Sequence, residues 1–117
     1  MYMKGKRYMY NFKLLDNEEI ELIDDNVIIK DKDNLYTVII TNKRLLVLDY
    51  PSNVYNSMED LRISGKINYV KMKEIILEKK LNEIKKIDDR SEFSKIIFLD
   101  DSFIEIKSID VINKLLN

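Results

Sequence analysis

A chain of 117 residues with 20 Lys+Arg against 21 Asp+Glu, 45% hydrophobic residues and no His, Cys or Trp has the length of one domain. It carries too much apolar content, for too little net charge, to stay disordered. Without imidazole or thiol it cannot build a Ser-His-Asp triad, a cysteine nucleophile, or a zinc, haem or iron–sulfur centre of the His/Cys kind, so any catalytic reading must rest on carboxylates, Lys, Tyr, Ser or Thr.

Residues 1–13 hold Lys4, Lys6, Arg7 and Lys13 with no acid. This is either a basic N-terminal arm or an edge strand, because Tyr8, Tyr10, Phe12 and Leu14 alternate with period two. Residues 14–117 are expected to form the single domain. From Glu19 to Lys30, Ile20, Leu22, Val27, Ile28 and Ile29 read as a strand interrupted by Asp24-Asp25-Asn26, the pattern of a bend or bulge. Asp31 to Asn34 is a turn, since Asp and Asn tolerate the left-handed region. Leu35 to Ile40 and Leu45 to Tyr50 are β-branched or leucine-rich strands on either side of a tight turn at Thr41-Asn42-Lys43-Arg44. Connections this short allow only an antiparallel meander. At that turn Asn42 is expected in the left-handed conformation, Thr41 to hydrogen-bond across it, and Arg44 to lay its stem on the rim with its head in water.

Pro51 opens a polar stretch to about residue 68, the longest loop and a candidate partner surface. Residues 69–89 fit two templates. A helix would align Val70, Leu77, Leu81 and Ile84, whereas two strands would break near Lys80; the absence of Ala and the abundance of Ile favour the strands. Ser94 to Leu99 and Phe103 to Lys107 form a hairpin around Asp100-Asp101-Ser102, with Ile104 and Ile106 inward. Ser108 is then an N-cap for a short helix, with Ile109, Ile112, Leu115 and Leu116 expected on its buried face.

The order of these elements is mainly β with one C-terminal α-helix. It resembles the pleckstrin-homology-like (PH-like) fold, in its bacterial PH and GRAM-like branch. The resemblance rests on Leu15-Asp16-Asn17-Glu18-Glu19-Ile20, similar to an "L-x-x-x-E" opening; on Thr41-Asn42-Lys43-Arg44-Leu45-Leu46, close to a "T-N-x-R-L" hairpin; and on Phe103 to Ser108, similar to a last strand and helix cap. It implies a bent barrel of two antiparallel sheets closed by the helix, and a module that acts as an adaptor.

Three chemistries compete. The acid pairs Asp24-Asp25, Asp88-Asp89 and Asp100-Asp101, with Glu105-Ile106-Lys107, would suit a magnesium-dependent enzyme, but acid-x-Lys triplets arise by chance in so charged a chain and adjacent acids prefer turns, so no catalytic, metal or cofactor residue is assigned. Residues 66–86 hold seven lysines against Glu74, Glu78 and Glu83. With the arm, Lys4, Lys6, Arg7, Lys13, Lys71, Lys73, Lys79 and Lys80 could meet an anionic membrane surface. Interleaving of Lys30 and Lys32 with Asp31 and Asp33 departs from the basic first turn of lipid-binding PH domains. A nucleic-acid role would need a basic domain with a stacking platform, and it ranks last. The reading that remains is a non-catalytic binding or scaffold module for a protein partner or for its own copies. Its expected location is cytoplasmic, with the inner membrane face as the peripheral alternative, because no apolar run reaches the roughly 18 residues of a membrane span and none has the form of a secretory signal.

Overall fold

The structure, a computed structural model, describes residues 9–49 and 72–117. Lys4, Lys6, Arg7, Lys71 and the loop from Pro51 to Asn68 lie outside them. The described elements are β1 (Met9–Asn11), β2 (Ile20–Ile29), β3 (Leu35–Thr41), β4 (Arg44–Asp49), β5 (Met72–Lys80), a single 3₁₀ turn (Leu81–Glu83), β6 (Ile84–Asp88), β7 (Ser94–Phe98), β8 (Phe103–Lys107) and helix α1 (Ile109–Leu116). The chain is therefore mainly β with one C-terminal helix. Met72 to Asp88 is two strands, as the β-branched composition favours over the helical alternative.

All eight strands lie in one sheet, in the order β1-β5-β4-β3-β2-β8-β7-β6. Every neighbouring pair is antiparallel except β1 and β5, which run parallel from Met9↔Met72 to Asn11↔Glu74. Within the N-terminal arm, residues 9–11 form the strand at one end of this order. The expectation of two sheets closed into a barrel is corrected. β2 is ten residues long and pairs with β3 from Ile20 to Ile28, with a register slip between Asp24 and Val27, and its end, at Ile28 and Ile29, also pairs with β8. The bulge bends one continuous sheet instead of separating two, and the sheet is not closed into a barrel.

β3 and β4 explain the two cores. Six of seven residues in β3 and all six in β4 are buried, so both faces of the central strands are covered, as uninterrupted apolar runs in a sheet require. On the inner face Tyr36, Val38, Ile40, Leu45 and Val47 pack with Val27, Ile96, Phe98 and Ile106 and with Val111 and Ile112 of α1. On the outer face Ile39, Leu46 and Leu48 pack with Phe12, flanked by Leu14, Ile20, Ile23 and Ile75.

Turn and cap chemistry follows the sequence with two corrections. Asp31 and Asp101 take left-handed φ of 66° and 68° in the expected turns. Asn42 does not; Asn17 does, with φ of 60°. Ser108 caps α1, its Oγ accepting from the Val111 amide at 3.1 Å. The buried face of α1 is Val111 and Ile112, with Leu115 packed against the same core, whereas Ile109 is 80% exposed.

Candidate functional site

The hairpin motif carries the densest polar constellation among the described residues. Its base is a tight turn in which the Glu18 amide donates to the Leu15 carbonyl at 3.1 Å while Glu18 Oε1 accepts from the Leu15 amide at 2.7 Å. Asn17 supplies the left-handed residue that this turn needs. The turn aims the Glu18 carboxylate at the β3–β4 hairpin. Arg44 Nε donates to Glu18 Oε2 at 2.8 Å and Nη2 to Oε1 at 2.7 Å, a bidentate pair, and the Thr41 hydroxyl donates to Oε2 at 2.6 Å. The Glu18 side chain is 0% exposed and that of Arg44 6%.

These contacts hold the Glu18 carboxyl down at about 2 from its ordinary 4.5, chiefly through the Arg44 hydrogen bonds, against the upward push of burial. The guanidinium is held charged in return by Glu18, and its pKa is raised. Two further donors are spent on the Lys13 carbonyl (Nη2, 2.8 Å) and on Glu78 Oε2 (Nη1, 3.2 Å). Arg44 therefore does not keep its head in water. A buried guanidinium needs paired oxygens on most of its five N–H groups, and Glu18, Lys13 and Glu78 provide them. The expected turn chemistry and ion pair at Thr41 to Arg44 are both present. Thr41 Oγ1 accepts from the Lys43 and Arg44 amides at 3.0 and 2.8 Å. Asn42 acts through its side chain, accepting from the Glu19 amide and donating to the Asn17 carbonyl.

Beside this cluster is a recess of about 370 Å³ lined by Leu15, Asn42, Lys43, Arg44, Glu78, Lys80, Leu81 and Asn82. The Leu81 amide donates to the Lys43 carbonyl at 2.9 Å, so the corner between β5 and β6 is fastened to the hairpin. Leu15 is 51% exposed and the Glu78 side chain 49%. A second recess of about 320 Å³ lies between the end of α1 and the same corner, beside a Lys114–Glu21 ion pair.

The surface lysines divide differently from expectation. Lys73 is buried: its Nζ donates to Thr37 Oγ1 at 2.6 Å, and that hydroxyl donates to Asp25 Oδ1 at 3.0 Å. Burial pushes the Lys73 ammonium below its ordinary pKa. As a contact for an anionic surface it is thereby corrected, because β5 turns it onto the covered outer face of the sheet. Lys79 pairs with Asp100 at 3.1 Å and sits over the Phe98 ring. Lys13 and Lys80 are exposed, and only Lys80 lines the recess.

Of the six paired acids, all but Asp89 accept a hydrogen bond from a nearby group. Asp24 accepts from the Asn26 amide and from Ser108 Oγ; Asp88 accepts from Arg90; Asp100 accepts from Ser102 and Lys79; and Asp101 accepts from Lys85. Glu105 and Lys107 are drawn apart, to Lys30 and Glu92. Among the described residues no group of three acids could hold a metal ion, and no helix is long and apolar enough to cross a membrane.

Glu78, Leu15, Leu81 and Asn82 were not assigned to a site from the sequence: Leu15 stood only in the opening motif, Leu81 in the helical alignment and Glu78 among the acids of the lysine-rich segment, and Asn82 carried no signal. Compared with protein-family models, with curated proteins and with solved structures, the chain matches none.

Proposed function

We propose that the chain is a non-catalytic, PH-like binding or scaffold module that acts on a protein partner or on its own copies. The PH-like part is supported by the element order: a four-stranded meander, a corner, three further antiparallel strands and one terminal helix. The observation that carries the binding part is the recess at the hairpin. There an exposed leucine, a cation and a buried, oriented guanidinium line one concave surface.

The edge strand β6 is a weaker surface. Among the described residues it pairs with β7 on one side only, but it is five residues long, is irregular between Ile84 and Lys86, and carries Lys85 and Lys86. These features discourage indiscriminate strand addition. Attachment to anionic lipid draws less support, since Lys73 is buried and Lys79 and Lys85 are engaged by acids.

Size-exclusion chromatography with light scattering over a concentration series tests the self-association half. The expected result is a mass above that of the monomer which falls on dilution. A clean monomer at high micromolar concentration removes that half and leaves the partner half to stand alone.

A further inference from the structure

Resting on that reading, we infer that the recess beside Arg44 is a carboxylate-binding site for a short acidic and apolar peptide segment of a partner protein, and that Glu78 is its resident competitor. The two acids on Arg44 are not equivalent. Glu18 is wholly buried and bidentate, at 2.7 and 2.8 Å, so it is the permanent counter-ion. Glu78 makes one longer contact of 3.2 Å to Nη1 from a side chain that is half exposed.

A single contact from a half-exposed side chain is weak beside the buried bidentate pair, so Glu78 is the partner that an incoming carboxylate would replace. The bonds of Arg44 to Glu18, Lys13 and Glu78 occupy four of its five N–H groups. The fifth, on Nη1, has no partner among the described residues, so an incoming carboxylate finds a charged N–H donor left open there.

The rest of the lining fits the same ligand. Lys80 makes no ion pair among the described residues, and the Lys43 ammonium is tied only to a neutral carbonyl, that of Asp16. Arg44, Lys43 and Lys80 therefore face Glu18 and Glu78, three cations against two acids, and displacing Glu78 leaves the site one charge more positive. Leu15 and Leu81 give apolar wall on either side, which suits an apolar residue next to the acid. A volume of about 370 Å³ holds one or two side chains and not a folded domain. The hydrogen bond from the Leu81 amide to the Lys43 carbonyl keeps the two sides of the recess together without ligand.

The test is a titration of the isotope-labelled 117-residue chain with acetyl-Ile-Glu-Leu-amide, read by NMR on the Arg44 Nε–H and on the methyl groups of Leu15 and Leu81. The controls are acetyl-Ile-Gln-Leu-amide and inorganic phosphate. The Glu peptide is expected to shift all three reporters. Glu78→Gln should tighten binding about two- to fivefold, and Lys80→Gln should weaken it by a similar factor, as exposed charge contacts do. No shift in either the wild type or E78Q would overturn the inference. So would equal shifts from the Gln peptide, or a response to phosphate as strong as that to the Glu peptide. Should E78Q not fold, the K80Q comparison decides alone. If the peptide fails while the chain self-associates, this inference is lost and the module reading survives; if the chain is also a clean monomer, the self-association half of that reading is lost with it.

Discussion

At the scale of single residues the decisive pair is Glu18 with Arg44. Removing one partner of a buried ion pair strands the other, which costs about 3–5 kcal/mol. Glu18→Gln should therefore lower unfolding free energy by several kcal/mol in denaturant titration, and a change below about 1 kcal/mol would show that the clamp is not structural. The pH dependence follows from the same pair. The folded carboxyl titrates near 2 and the free one near 4.5, so the unfolded chain binds the proton first. Stability from this group is complete above about 4.5 and is lost as pH falls towards 2, a difference of about 3 kcal/mol. In E18Q that part of the acid-side decline should be absent, measured as unfolding free energy against pH from 6 to 2.

At the scale of elements, α1 shows how a cap and two side chains dock a short helix. Eight residues are too few for a stable isolated helix. Its retention depends on Ser108, which caps the Val111 amide and donates to Asp24 of β2, and on burial of Val111 and Ile112. Ser108→Ala is expected to cost about 1–2 kcal/mol and Ile112→Ala about 2–4 kcal/mol, while Ile109→Ala should fall within about 0.5 kcal/mol of the parent. Thermal or chemical melts of the three variants check the order. A loss at Ile109 as large as at Ile112 would mean that the helix docks on its other side.

At the scale of the whole molecule the question is which charges remain available. Lys79 and Lys85 are matched to Asp100 and Asp101 across the corner and hairpin of the second half of the sheet. Neutralising both, as Lys79→Gln with Lys85→Gln, should change partition onto vesicles containing anionic lipid by less than about twofold at 0.1 M salt, since a base contributes near a membrane only when it is free to approach the headgroups. Sedimentation with anionic and with neutral vesicles measures this. A several-fold loss on anionic vesicles alone would return those lysines to a membrane role.

Strands, turns and the helix were legible in the residues themselves. Ile- and Val-rich runs, the Asp-rich turns, the Asp24 bulge and the Ser108 cap are local signals, set by backbone preference and by side chains acting a few positions away. The exclusion of His and Cys chemistry likewise needs nothing beyond composition. What only the tertiary structure decided is the state of the charges and the continuity of the sheet. Arg44 meets Glu18 across 26 positions and Glu78 across 34, and Lys73 meets Thr37 across 36. Whether a lysine or arginine is solvated or buried depends on what packs over it from such distances, and no periodicity within its own strand records that. The near-equal totals of bases and acids therefore concealed two different populations among the described residues: charges held in turns, caps and the covered face of the sheet, and exposed charges such as Lys80 that make no ion pair.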